Sequence, residues 1–348
     1  MKPLTINEGL SQLDKLLLNK HREAPGKSLM IGIAGPVASG KSRFCKIFTE
    51  TAPDLLEMDL VYLPFDYWIN KNNLNSKTYA ERFFLDDLSL ALKSIKSETG
   101  WFCPRYDLSK NIRNDEGYKK YLVPEQVVEW FGRKFTLLSE ECPFSHAPGS
   151  KELYYELETN RIYSFFIPKA NSLYVIDGTM VYFYGDDYKL YDATIYVYGE
   201  WATRISRMIR RYNRKEVFGQ TILTEKEYVR FLVNEARACA DEEILTQKGK
   251  STFVIKSSTE TVSNLLDLYC LKQNINKDEN IKEVYCLDEV QINEQIDEAY
   301  KHFSTRNDLE TLKALRTEFK HLILSKHLLK VDNIDEVFTK LDQVLSFK

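Results

Sequence analysis

Ile31-Gly-Ile-Ala-Gly-Pro-Val-Ala-Ser-Gly-Lys-Ser42 (IGIAGPVASGKS) is the stretch on which the fold turns. Gly35, four further residues and then Gly40-Lys41-Ser42 have the spacing of a glycine-rich phosphate loop between a strand and a helix. The flanks agree. Residues 28–34 (SLMIGIA) form a short apolar run suited to a buried parallel strand, and residues 43–50 (RFCKIFTE) continue as a helix with Phe44 and Ile47 on one face. Gly35 and Gly40 permit dihedrals and a close approach that a side chain would block, so the backbone of Val37, Ala38, Ser39 and Arg43 can turn N–H groups toward phosphate oxygens. The helix N-terminus adds partial positive charge. Lys41 is then expected to reach the β- and γ-phosphates, and the Ser42 hydroxyl to ligate Mg²⁺.

Composition narrows the function classes. With 43% hydrophobic and 28% charged residues, the 348-residue chain is long enough for one large α/β domain and a smaller module. A net charge of -3 argues against nucleic acid as a partner held by bulk electrostatics. No apolar stretch reaches membrane-spanning length, and the start MKPLTINEGL lacks the apolar core of a signal peptide, so the cytoplasm is the expected location and no membrane partner is expected. Six cysteines without a C-x-x-C pair and five histidines without H-E-x-x-H leave zinc chemistry and a disulfide framework unsupported.

Along the chain, residues 6–22 read as an amphipathic helix. Strand-like runs come next at 55–59 (LLEMD), 172–177 (SLYVID), 193–199 (ATIYVYG) and 251–256 (STFVIK), separated by helical stretches. That alternation predicts an α/β fold, a P-loop NTPase-type parallel sheet with helices on both faces. The expected organisation is a domain over 1–273, a polar connector over 274–286 and a small C-terminal helical module over 287–348, whose apolar stripe suits packing or homo-oligomer formation.

A phosphate loop alone specifies only a nucleotide. The guanine-reading N-K-x-D of GTPases is absent. In parallel sheets ligands gather at the carboxyl ends of strands. The run 55–59, read as a strand, ends in Asp59, which is therefore the expected acceptor of the proton from an attacking hydroxyl, with Glu57 two residues back as a rival.

Beyond these residues the sequence resembles the uridine kinase and phosphoribulokinase group of P-loop kinases, which includes bacterial pantothenate kinase. Asp59-Leu-Val-Tyr62 is similar to that group's Asp-x-Phe/Tyr-Tyr, which implies Asp59 as catalytic base and Tyr62 at the acceptor. Pro104-Arg-Tyr106-Asp107, followed six residues later by Arg113, resembles its acceptor-binding segment. Leu173-Tyr-Val-Ile-Asp177-Gly178 resembles its strand ending in Glu-Gly, with Asp in place of Glu, and implies Asp177 as a metal residue beside Ser42. Arg204, Arg207 and Arg211, on one helical stripe, resemble its lid helix; the resemblance implies that they close over ATP, with Arg207 at the transferring phosphoryl group. It covers roughly residues 28–271.

The acceptor segment departs from the group. Residues 73–87 lack the Asp-His-Pro-Asp run of nucleoside kinases and carry Arg82 where an acid is expected, and the stretch at roughly 114–170 holds an insertion, about forty residues more than the group's short loop. The resulting expectation is an ATP- and Mg²⁺-dependent small-molecule kinase with an acceptor of negative charge. A uridine or cytidine kinase proper and a non-catalytic nucleotide-binding regulator are the alternatives.

Overall fold

The computed structural model describes residues 2–70, 73, 76–105, 116–144, 149–213, 240–257, 290 and 292–294, without the side chains of Glu116 and residues 209–213. The expected connector and nearly all of the C-terminal module lie outside the described residues. By internal contacts the chain divides into two compact units: Met1–Gly35 with Lys41–Tyr196 and Glu242–Ile255, and Pro36–Gly40 with Val197–Asp241 and Lys256–Lys348.

In the first unit, α1 (Ile6–Glu23) opens with a capping box between Thr5 and Glu8 and leads to β1 (Leu29–Ala34). The phosphate-loop stretch then gives way to α2 (Lys41–Leu56). Strands β2 (Asp59–Pro64), β8 (Ser172–Gly178), β9 (Ala193–Tyr198) and β10 (Phe253–Lys256) join β1 in a five-stranded sheet of order β10-β9-β1-β8-β2. The pairs β1–β8, β1–β9 and β2–β8 are parallel. β1 is buried along its whole length, as expected of a central parallel strand, whereas β2 lies at the edge and is exposed over its first half.

The second strand differs from the sequence expectation. Residues 55 and 56 belong to the last turn of α2, and β2 begins at Asp59. A Schellman-type cap ends the helix: Glu57 takes a left-handed conformation (φ 53°), and the Met58 N–H donates to the Pro53 carbonyl at 3.1 Å. Glycine is the usual occupant of such a position, so Glu57→Gly is expected to raise unfolding free energy by roughly 0.5–1 kcal/mol, less than the full left-handed strain because glycine also gains freedom in the unfolded chain. Urea titration of both proteins measures it.

The insertion supplies four strands of a second sheet and Trp101–Pro104 the fifth, a feature the alternating strand–helix pattern did not anticipate. β3 (Trp101–Pro104), β4 (Leu122–Trp130), β5 (Arg133–Leu138), β6 (Glu152–Glu156) and β7 (Arg161–Phe166) pair antiparallel in the order β3-β7-β6-β5-β4. Its core is aromatic: Phe102 stacks on Phe135 at 4.1 Å, and the Tyr154 and Phe165 rings lie 5.2 and 4.9 Å from Phe102.

Arg133 ties this sheet to α3 (Leu85–Lys96). Its guanidinium bonds both oxygens of Glu156 (2.5 and 2.8 Å), the Tyr163 hydroxyl at 2.8 Å, and the Asp87 carboxylate. Burial alone would raise the Glu156 carboxyl, but hydrogen bonds from Arg133 and Thr159 outweigh it and hold it below the ordinary value. Arg133→Met leaves two buried carboxylates facing each other and is expected to cost about 3–5 kcal/mol by denaturant titration. In the wild type, the depressed Glu156 pKa contributes stability that is present above the ordinary glutamate value and lost as pH falls through the folded value, and the variant lacks that acid dependence.

Candidate active site

The loop after β1 has the dihedrals its sequence demands. Gly35, Ala38 and Gly40 all have positive φ (151°, 60° and 101°). The Ser39 N–H donates to the Pro36 carbonyl at 3.2 Å, closing a turn whose third residue, Ala38, must take positive φ. Ser39 is fully buried, and its hydroxyl has no hydrogen-bond partner among the described residues. Gly40 stands at φ 101°, where a side chain is strained, and a Cβ there would also come within 2.7 Å of the Ser257 hydroxyl.

Within the second unit, α4 (Trp201–Asn213) lays two arginines on this loop. Arg204 is buried over the Trp201 ring, donates from Nε to the Val37 carbonyl at 2.8 Å, and forms a two-pronged pair with Asp241 at 3.0 Å per contact. Arg207 donates to the Ala38 carbonyl at 3.1 Å and to the Ser257 hydroxyl at 2.8 Å. Arg204 and Arg207, two members of the expected stripe, thus share a face, and both grip loop backbone instead of standing as a lid. The buried Arg204 guanidinium needs several acceptors, which the Val37 carbonyl and Asp241 supply, and the half-buried Arg207 finds its own in the Ala38 carbonyl and Ser257. The Arg211 side chain lies outside the description.

Within the first unit, the ends of β2 and β8 meet. A Cβ on Gly178 would stand 2.2 Å from the Phe65 Cβ, so Phe65, the first residue after β2, packs where a side chain on Gly178 would be. That contact sets Asp177 and Asp66 close together. Desolvation by the surrounding protein raises the Asp66 carboxyl above its ordinary value and the Asp177 charge raises it further, while the Lys41 ammonium lowers it; the side chain itself remains open to solvent. Asp177 is buried, pairs in register with Ile33 and Pro64, and accepts a 2.5 Å hydrogen bond from the Tyr62 hydroxyl. Burial, then Asp177, raises the Tyr62 phenol, and the same two causes push the Cys45 thiol up to about 12. Lys41 donates to the Gly35 carbonyl at 2.8 Å, and Ser42 and Arg43 stand exposed on the first turn of α2.

Asp59 is not in this group. It is the first residue of β2, not its last, and pairs with Ser172 at the start of β8. Six strand residues put it roughly 17 Å from the carboxyl end. It is exposed beside Lys169 at 3.9 Å. Glu57 lies at that same remote end. The acid at the carboxyl end of β2 is Asp66, which the sequence reading passed over; an apolar run, Leu60 to Phe65, followed by Asp66-Tyr67 was the signal.

On the acceptor side, Arg82 is buried within its own segment: it donates to the Ser76 carbonyl at 3.0 Å and lies over the Tyr79 ring. Glu243 of α5 (Asp241–Thr246) pins that segment by accepting from the Tyr79 and Ala80 N–H groups at 2.9 and 2.8 Å. Tyr106, Asp107 and Arg113 lie outside the described residues. Arg105, buried at the end of β3, was not singled out by sequence; its charge lowers the Tyr67 phenol, which burial and then Cys103 raise.

The residues present suit a nucleoside triphosphate with Mg²⁺. In the second unit the positive φ of Ala38 and Gly40 and the orphaned Ser39 hydroxyl suit phosphate; in the first, Ser42 and Asp177 offer the hard oxygens Mg²⁺ prefers.

Neither a protein-family model nor a curated protein matches the sequence. Solved structures do. Two carry provisional kinase names: a fructose transport system kinase from Silicibacter sp. TM1040 (13% identity, 71% of this chain and 97% of that one, TM-score 0.43) and a uridine kinase from Bacillus stearothermophilus (11%, 71% and 99%, 0.34). D-glycerate 3-kinase from Cryptococcus neoformans var. grubii is also similar (15%, 68% and 87%, 0.35). The fold stands on the chain's own strand order and loop.

Gly178→Ala should push Phe65 and Asp66 away from Asp177. The expected result is a variant that melts cooperatively but has lost the Asp66 alignment, read as a displaced Phe65–Asp66 backbone in its crystal structure.

Proposed function

We propose that this protein is an ATP-dependent small-molecule kinase that transfers the γ-phosphoryl group to an acceptor hydroxyl. One observation carries the reading: Asp66 and Asp177, at the carboxyl ends of neighbouring parallel strands, lie within electrostatic reach of each other, and Asp66 of Lys41. A nucleotide-binding regulator has no use for a carboxylate in that position. Asp66 takes the role that the sequence assigned to Asp59, accepting the proton as the acceptor oxygen attacks. Lys41 holds the phosphates and its charge follows the transferring group. Ser42 and Asp177 would hold Mg²⁺, which when bound neutralises phosphate charge. The Tyr62 hydrogen bond fixes the Asp177 carboxylate.

The acceptor is anionic in this reading, a small hydroxy acid or phosphorylated sugar. Arg105 beside Tyr67 supports it, since Tyr67 adjoins Asp66. Incubation with ATP, Mg²⁺ and a panel of hydroxy acids, sugar phosphates and nucleosides, read by mass spectrometry for one added phosphate, identifies the acceptor. Equal turnover of uridine by wild type and Arg105→Ala would replace this reading with a nucleoside kinase.

Asp66→Asn is expected to keep ATP binding and lose transfer by about 10²- to 10⁴-fold, whereas Asp59→Asn stays near wild type. Because the Asp66 pKa is raised, the carboxylate forms only at higher pH. The acid limb of kcat/KM should therefore lie above the ordinary aspartate value and vanish in Asp66→Asn. Normal activity in that variant sinks the assignment.

A further inference from the structure

The two arginines of α4 have a task that phosphate binding alone does not describe. Every peptide of the loop is trans, so the carbonyl of one residue and the N–H of the next lie in one plane and point in opposite directions. Arg204 Nε draws the Val37 carbonyl toward α4, which turns the Ala38 N–H away from it. Arg207 draws the Ala38 carbonyl and turns the Ser39 N–H back across the turn to Pro36. Between those two carbonyls sits Ala38, a side-chain-bearing residue at φ 60°, a setting that persists only when its neighbours hold it. The guanidinium of Arg204 is itself fixed, because the two-pronged pair with Asp241 determines its plane as well as its place. Arg207 is steadied by Ser257, whose side chain also fills the space beside Gly40.

We propose that Arg204 with Asp241, and Arg207 with Ser257, are positioning residues that hold the phosphate loop in its binding conformation from the helix side. This rests on the nucleotide-binding reading above and gives these arginines a different task from direct ligation of phosphate. Asp241 separates the two. A guanidinium reaching for phosphate would be hindered by a carboxylate that holds it back, so removing the carboxylate would tighten binding. A guanidinium that shapes the loop depends on the carboxylate, so its removal weakens binding.

The test measures Mg²⁺–ADP and inorganic pyrophosphate binding to the full-length protein by isothermal titration calorimetry, at a temperature well below each variant's melting point. Pyrophosphate isolates the loop from contacts to base and ribose. Asp241→Asn is expected to weaken both ligands by about tenfold or more, equivalent to about 1.4 kcal/mol, and Ser257→Ala to weaken both in the same direction. Unchanged or tighter binding in Asp241→Asn overturns the proposal. Should that variant fail to fold, Asp241→Glu, which keeps the charge but moves it by one methylene, reads with the same sign: weaker binding supports the clamp, and unchanged or tighter binding overturns it. A wild-type protein that binds neither ligand overturns the kinase reading and the clamp together, whereas a binding wild type with indifferent variants overturns the clamp alone.

Discussion

The missing Cβ of Gly178 is the constraint on which the site depends. Two parallel strands bring their carboxyl ends within one strand spacing, yet the first residue past β2 is a phenylalanine needing somewhere to pack. Gly178 supplies the space, Phe65 fills it and meets the Phe83 ring at a tilt, centroids 4.6 Å apart, and Asp66 is delivered beside Asp177. Two carboxylates so placed repel one another, and the Lys41 ammonium opposes that repulsion. A glycine that reads in sequence as a strand terminator thus determines which acid meets the lysine.

The fold was legible where one physical cause acted alone. A glycine-rich turn between a buried strand and a helix has few alternatives, and β1, β8, β9 and β10 fall where apolar runs bounded by polar residues put them. β2 was misread because two causes overlapped. Leu56 continues the buried face of α2 beside an exposed Leu55, so the pair reads as the start of a strand, and the helix stops through a left-handed glutamate where a glycine would have announced the stop. An acid follows an apolar run twice, at Asp59 and at Asp66, and only the strand register tells them apart. The antiparallel sheet left a local trace, since ELYYE and RIYSFF flank the four-residue turn Leu157-Glu-Thr-Asn160. What no local pattern carries is the ion network that joins that sheet to α3, because its members are 46 and 23 residues apart.

The arginines of α4 show the limit of reading charge by spacing. Periodicity correctly put Arg204 and Arg207 on one face. It could not say what the face meets. A cationic stripe can serve solvent, phosphate or backbone carbonyls, and the choice is decided by Asp241 and Ser257, which lie 37 and 50 residues further on. For Arg204 burial gives the answer: a guanidinium with almost no solvent must satisfy its donors locally, and the outward carbonyls of a tight turn are acceptors in need of donors.

Within the first unit the two sheets divide the chemistry. The parallel sheet and α2 carry Lys41, Asp66 and Asp177, the residues to which the proposed reading gives the phosphate chemistry. The antiparallel sheet carries Arg105, held at the end of β3 by an N–H bond to the Ile162 carbonyl of β7 at 2.8 Å. Since β3 is an edge strand, residues beyond its C-terminal end can be exchanged without breaking the ladder behind it. Arg133 and its carboxylates fix that sheet against α3, and α3 starts directly after the segment that contains Arg82. On the proposed reading, acceptor recognition is built on an element that phosphate chemistry does not need, and changes in the insertion would alter which hydroxyl is chosen while Asp66 and Lys41 stay where β2 and α2 put them.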